Sequence, residues 1–355
     1  MEIFQHYSSN TLAGSGNQSF FTPVDSNAIY TARIFYKVFC EGKFTYVFYF
    51  SNILDSTFSD GSHSRCNMIC DSWTLHSLRV CTCVTCDPEQ ANDWIDVFFS
   101  GKPVKTVRDD EVFHSDPLCL DVKKGEFLCL ELSFQGDMIP CHPESQISAY
   151  AFSHGNWIPS HDLPVPSMIG CDRAVSKRVG FFGDSITQGI GVSPNSYLHW
   201  NALLAEKIGK HNAYWNLGLG YGRAEDAASR GIWMEKAKQN DVVFICFGVN
   251  DVLQGFREDK IIQDLQIIKN TLKNSLLVFQ TLPPFDYTEA QRPVWEQVNA
   301  YILNEIGKEY AVFDCVPVLC CDKPHLAKYG GHPNEAGCKL WAEQLYTFIK
   351  DKQIL

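Results

Sequence analysis

The feature that most constrains this chain is a change of rhythm after Lys177. From there, short apolar runs at 179–182, 214–217, 242–247, 276–281 and 311–313 alternate with helical patterns at 197–208, 225–238, 261–271, 293–310 and 334–350. Parallel strands need crossovers of about a dozen residues or more, usually helical, so this alternation implies a mostly parallel sheet covered by helices on both faces. In open sheets of this kind, ligands bind beyond the carboxyl ends of the strands. The residues that follow each apolar run are therefore the first candidates for chemistry.

Ahead of that region, residues 28–152 read as all-β. Runs at 28–39 and 44–50 flank Glu41-Gly42-Lys43, and runs at 94–99 and 104–107 flank Ser100-Gly101-Lys102-Pro103, a hairpin signal. Runs at 118–122 and 127–134 flank Lys123-Lys124-Gly125-Glu126. Short strands between glycine-containing turns predict a β-sandwich or jelly roll. Residues 154–176, rich in Pro, Ser and His, read as a linker. The expected organisation is a β-domain over 1–153, a linker over 154–176 and an α/β domain over 177–355.

Charge and composition exclude several function classes. The formal net charge of −11 argues against nucleic acid, which needs a basic face, and gives no support for docking on anionic lipid. No apolar run approaches the roughly 18 residues of a membrane span. The start, Met1-Glu2-Ile3-Phe4-Gln5-His6, has no basic segment or apolar core of an export signal, so a cytoplasmic protein is expected. Of the 15 cysteines, Cys66, Cys70, Cys81, Cys83 and Cys86 cluster in sequence, with His63 close by. Cys83-x-x-Cys86 has zinc-ligand spacing, but no second Cys-x-x-Cys pair answers it. Cys81 and Cys83 alternate along a strand and share one face. Free structural thiols are expected, with neither metal nor cofactor.

The strand ends carry a coherent set of groups. After the first run comes Gly183-Asp184-Ser185-Ile186-Thr187-Gln188-Gly189, and after the second Gly218-Leu219-Gly220-Tyr221-Gly222, with Asn216 just before. Gly248-Val249-Asn250-Asp251 follows the third, and Gly330-Gly331-His332-Pro333-Asn334 opens the final helix. Acyl transfer needs a nucleophile, a base beside it and donors for an oxyanion. Ser185 at a strand-to-helix turn can present its hydroxyl and its backbone N–H. A glycine turn can bring a second N–H, and Asn250 offers a side-chain amide. His332 is suited to accept the serine proton near neutral pH.

These four blocks, in this order, resemble those of SGNH/GDSL hydrolases over about residues 177–350. The resemblance implies a flavodoxin-like three-layer α/β/α sandwich and esterase chemistry without a cofactor. By it, Ser185 is the nucleophile, Asn250 an oxyanion donor and His332 the base. The β-rich front half is similar in layout to two-domain carbohydrate deacetylases. The family's oxyanion glycine usually lies five residues after the Asn of the second block, where this chain has Tyr221. Either Gly220 or Gly222 takes the role, with Gly220 favoured, or Tyr221 donates its own N–H. The family usually has Asp three residues before the catalytic His, where this chain has Tyr329. Asp322 and Glu335 are the nearest carboxylates, and a Ser–His dyad with the imidazole held by a backbone carbonyl is expected. The expected substrate is a small short-acyl ester, such as an O-acetylated sugar. Alternatives are a longer-chain lipase or thioesterase, or a degenerate glycan-binding protein.

Overall fold

The structure, a computed structural model, describes residues 3–56, 66–319 and 324–355. It forms two compact units: one contains residues up to Asp55 and Asn67–Val175, the other Ser56, Cys66 and Ser176–Leu355.

The first unit is built on two antiparallel sheets. One orders its strands as Asn156–Pro159, Ser148–Ser153, Tyr30–Lys37, Phe127–Gly136 and Trp73–Cys83, with Ile95–Val97 and Lys105–Val107 both on the far side of Trp73–Cys83. The other orders Ser8–Ser9, Met168–Cys171 and Gly42–Ser51, with Val112–His114 and Leu118–Val122 both on Gly42–Ser51. The sheets share a core in which Trp73 of the first meets Phe113 of the second, ring centroids 6.4 Å apart.

Two turn signals have different outcomes from the hairpins they suggest. The strands flanking Glu41 lie in different sheets, as do those flanking Lys123-Lys124-Gly125-Glu126. At Ser100-Gly101 the chain does reverse, with Phe99 bridged antiparallel to Lys102, and Ile95–Val97 and Lys105–Val107 then each pair with Trp73–Cys83. Turn residues encode a chain reversal; which sheet the returning strand joins depends on the apolar face it must bury. Residues 154–176 are not a linker, for the same reason. Asn156–Pro159 is an edge strand on Ser148–Ser153, and Met168–Cys171, buried throughout, pairs with Gly42–Ser51.

The second unit contains a five-stranded parallel sheet: β1 Arg178–Gly183, β2 Ala213–Gly218, β3 Val242–Cys246, β4 Leu276–Gln280 and β5 Ala311–Phe313. Their order, β2-β1-β3-β4-β5, is the flavodoxin-like arrangement, whose switch point lies between β1 and β3. Helix Trp200–Ile208 packs on the final helix, Glu335–Asp351, while Ala224–Ala228, Glu258–Thr271 and Arg292–Asn304 form a second contacting group. The single helix expected over 225–238 is two, Ala224–Ala228 and Ile232–Ala237. They are separated where Arg230 takes φ 63° ahead of Gly231, a conformation a helix does not continue through.

Trp200 is an apolar anchor between helices and sheet. It is fully buried, stacks on Trp341 with centroids 5.2 Å apart, and meets Phe181 of β1 edge-on. Its indole N–H donates to the carbonyl of Ile186 at 3.1 Å, tying this helix to the turn after β1. Trp200→Ala should lower the stability of the second unit by about 3–5 kcal/mol in urea unfolding. A loss below about 1 kcal/mol, the scale of an ordinary surface substitution, would contradict this role.

Candidate active site

Three strands end level with one another. Gly183 of β1 is in register with Gly218 of β2 and with Cys246 of β3. The segments that follow therefore leave the sheet at the same height, at the switch point where open sheets bind ligands.

The turn after β1 is unusually tight. Asp184 caps the short helix Ser185–Gln188, its Oδ1 accepting the Ile186 N–H at 3.0 Å, and Gly189 ends it at φ 116°. A Cβ on Gly183 would lie 2.2 Å from Thr187 Oγ1, and one on Gly218 would lie 2.1 Å from the Gln188 nitrogen. Only glycine at these positions lets the helical turn lie directly on the end of β2. Ser185 opens the helix, so its N–H has no carbonyl one turn earlier to bond.

His332 arrives on a loop that needs left-handed backbone at three successive residues: Tyr329 at φ 46°, Gly330 at 76° and Gly331 at 141°. Both glycines lie against Phe285, where an added Cβ would sit 2.8 and 2.7 Å from its ring. The Phe285 ring meets the imidazole edge-on at 5.2 Å. Asn334 then caps the final helix, its Oδ1 accepting from Ala336 at 3.0 Å and Gly337 at 3.1 Å. On the other side of His332, a Cβ on Gly191 (φ 108°) would lie 2.5 Å from the Pro333 carbonyl.

This loop brings together the two residues singled out from sequence. Ser185 Oγ is 2.8 Å from His332 Nε2, and His332 Nδ1 is 2.7 Å from the carbonyl oxygen of Tyr329. A carbonyl only accepts, so Nδ1 carries the proton and Nε2 is left to accept from the Ser185 hydroxyl. Burial pushes the His332 pKa below its ordinary 6.5, and the Tyr329 hydrogen bond opposes that shift only in part. Glu335 points elsewhere and accepts from Ser193 Oγ at 3.2 Å. Asp322 and His63 lie outside the described residues.

The glycine segment after β2 differs from expectation. The N–H of Gly220, favoured from sequence as an oxyanion donor, is donated to the side-chain oxygen of Gln188. Gly218 donates to Asn216 Oδ1 at 2.9 Å and Gly222 to the Leu219 carbonyl at 3.1 Å. Tyr221 takes φ 60°, the left-handed conformation that glycine adopts most readily. Gln188, fully buried, was not singled out from sequence, and a glutamine in a helical pattern carries no signal of such a role.

Asn250 lies in the first turn of helix Val249–Leu253, which starts after Gly248 at φ 124°. Its Nδ2 donates to the Gly222 carbonyl at 2.9 Å, which fixes the amide plane while leaving a second N–H on the same nitrogen. Beside it, buried Asp251 accepts from the Ala224 N–H at 3.0 Å and pins the far end of the glycine segment. Burial raises the pKa of Asp184 and of Asp251 to about 7. Their ionisation therefore opposes folding increasingly as pH rises from 3.8 to about 7, and below that range the cost is absent.

The cysteines do not group as the sequence places them. Cys66 is in the second unit, its Sγ 3.3 Å from Ser229 Oγ, and Cys70 is buried in the first. Cys129, absent from the sequence-derived group, instead joins Cys81 and Cys83.

Residues 181–340 match the GDSL-like lipase/acylhydrolase family. This segment is a GDSL-like lipase/acylhydrolase domain, and the protein is an ester-hydrolysing enzyme. Among solved structures it is similar to a member of the lipolytic protein G-D-S-L family from Veillonella parvula, at 20% identity over 48% of this chain and 96% of that one, TM-score 0.41. It is also similar to a psychrotrophic esterase from Pseudoalteromonas sp., at 17% identity over 50% of this chain and 99% of that one, TM-score 0.41. A lipase/acylhydrolase from Enterococcus faecalis is 20% identical over 50% of this chain and 96% of its own, TM-score 0.41. No curated protein matches the chain. Among the described residues, no helix is long and apolar enough to cross a membrane.

The lowered pKa of His332 has a kinetic consequence. A histidine acting as general base must be neutral, so activity that uses His332 as its base should persist to lower pH than with an ordinary histidine. The acid limb of kcat/KM should have its midpoint below 6.5. A midpoint above about 7, as a carboxylate on Nδ1 would favour, would contradict the geometry.

Proposed function

We propose that the enzyme hydrolyses short acyl esters, such as O-acetyl groups on carbohydrates, through a Ser185–His332 dyad and an acyl-enzyme. The observation that carries the reading is the chain of two hydrogen bonds from Ser185 Oγ to His332 Nε2 and from His332 Nδ1 to the Tyr329 carbonyl. The carbonyl does one part of a triad acid's work, holding the tautomer and ring orientation, but supplies no full negative charge for the imidazolium. His332 takes the hydroxyl proton as Ser185 Oγ attacks the ester carbonyl carbon. The same proton then goes to the departing alkoxide as the acyl-enzyme forms. Water, deprotonated by His332, attacks that acyl group and restores the serine.

The oxyanion is stabilised by the Ser185 N–H, the second N–H of Asn250 Nδ2 and a backbone N–H of the glycine segment 218–222. Gln188 orders that segment by accepting from the Gly220 N–H. The choice of sugar esters rests on the two antiparallel sheets ahead of the hydrolase unit, a layout similar to that of two-domain carbohydrate deacetylases, and on the resemblance noted above.

A fluorophosphonate probe should label the wild-type chain at Ser185 and leave Ser185→Ala unlabelled. Nitrophenyl acetate should be turned over with kcat/KM at least about tenfold above nitrophenyl octanoate, a gap of about 1.4 kcal/mol in the barrier. The reverse order would point to a longer-chain lipase, and undiminished labelling of Ser185→Ala would remove the nucleophile assignment.

Asn250→Ala should cost about 10²–10³ in kcat with little change in KM, as for loss of one oxyanion donor. Glu335→Gln should cost about tenfold or less, against about 10³-fold or more for His332→Ala. Equal losses from Glu335→Gln and His332→Ala would show that a carboxylate serves the histidine.

A further inference from the structure

The first unit contains a side-chain cluster that the hydrolytic chemistry does not use. Strand Phe127–Gly136 pairs with strand Trp73–Cys83 so that Cys129 faces Cys81 directly across the ladder. Cys83 lies two residues beyond Cys81 and projects to the same side of the sheet. The Sγ atoms of Cys81 and Cys83 are 3.6 Å apart, and those of Cys81, Cys83 and Cys129 all lie within 4.8 Å of one another. Among the described residues, no other three His, Cys, Asp or Glu side chains converge in this way.

The spacing has a chemical meaning. Four thiolates around zinc(II) at about 2.3 Å put neighbouring sulfurs roughly 3.8 Å apart, so the Cys81–Cys83 separation matches one edge of such a tetrahedron and Cys129 lies within 4.8 Å of both. The surroundings are closed: Phe35 and Ala91 are buried with the thiols, and Trp94, Phe127 and Tyr150 pack against them. Cys86 packs against the same cluster from the loop after the strand. It completes the Cys83-x-x-Cys86 spacing whose second pair is missing from the sequence. That second pair is Cys81 and Cys129, separated by 48 positions along the chain yet adjacent in the sheet.

We propose that Cys81, Cys83, Cys86 and Cys129 bind one zinc(II) ion, a structural site that joins two neighbouring strands and the loop at 84–87. This replaces the expectation that the thiols hold no metal. Binding forms four S–Zn bonds, and each thiol releases its proton to solvent, with no change of oxidation state. The filled site carries a net charge of 2−, part of which is offset by the positive field of Arg33 on Cys83. A set of four protein ligands leaves no open position for water, which makes the site structural and not catalytic.

The test uses the full chain, expressed with zinc in the medium and purified without chelator or histidine tag. Elemental analysis should find about one zinc per chain, and chelation followed by cobalt(II) should give thiolate charge-transfer and tetrahedral d–d bands. In competition with a chromogenic chelator, Cys129→Ser and Cys86→Ser should each weaken zinc binding by about tenfold or more. Cys119→Ser, an exposed thiol on the other sheet, should retain wild-type binding. Because a cluster variant could lose its fold, the cobalt spectrum of the wild-type chain decides independently. Zinc below about a tenth per chain with no cobalt–thiolate spectrum would overturn the proposal, given the affinity expected of a four-thiolate site. So would unchanged binding in folded Cys129→Ser, or a disulfide between any two of the four cysteines in the purified protein.

Discussion

The candidate active site depends on one steric constraint, the absence of side chains at Gly183 and Gly218. The helical turn bearing Ser185 lies on the backbone at the end of β2, and a Cβ on Gly218 would reach within 2.1 Å of the Gln188 nitrogen. Because the turn sits that low, the Ile186 carbonyl can accept from the Trp200 indole and Gln188 can engage Gly220. The position of Ser185 is thus set by close backbone packing and by a helix anchored in the core. Groups placed this way need little reorganisation when the reaction begins, the condition under which fixed donors stabilise an oxyanion most effectively.

The histidine is positioned by different means. Its loop accumulates left-handed residues, one of them a tyrosine, and is held by Phe285 and by the Asn334 cap on the final helix. The strain at Tyr329 has a consequence for the site, since it turns that residue's carbonyl onto His332 Nδ1. A carbonyl in place of a carboxylate leaves the imidazole less basic, and burial acts in the same direction. His332 is therefore neutral to lower pH than an ordinary histidine, and in the proposed dyad its protonated form would gain less support in the transition state.

The α/β half was largely legible in the sequence because its signals are local. Apolar runs of strand length mark β1 to β5, and the stretches just beyond them do carry Ser185 and Asn250 at the ends of strands. Tyr329 at the usual Asp position led to the expectation of a backbone carbonyl on His332. What was not legible depends on contacts far apart in the chain. The engagement of Gly220 by Gln188 cannot be read from either residue type. The convergence of Cys129 with Cys81 follows from strand register, and register in turn from which faces are buried. The residues taken as a linker, 154–176, read as irregular because Pro and Ser dominate them. Yet Met168–Cys171 is a fully buried strand, identifiable only once its partner at Gly42–Ser51 is known.

The proposed dyad requires that the main-chain carbonyl holding His332 leave its Nε2 poised to accept the Ser185 proton. The most direct measurement is 15N NMR of the histidine side chains at neutral pH, with His332 assigned by comparison with His332→Gln. For that dyad a neutral imidazole protonated at Nδ1 is expected, with Nε2 showing the shift of an unprotonated ring nitrogen. An imidazolium at that pH, or a neutral ring protonated at Nε2, would contradict it.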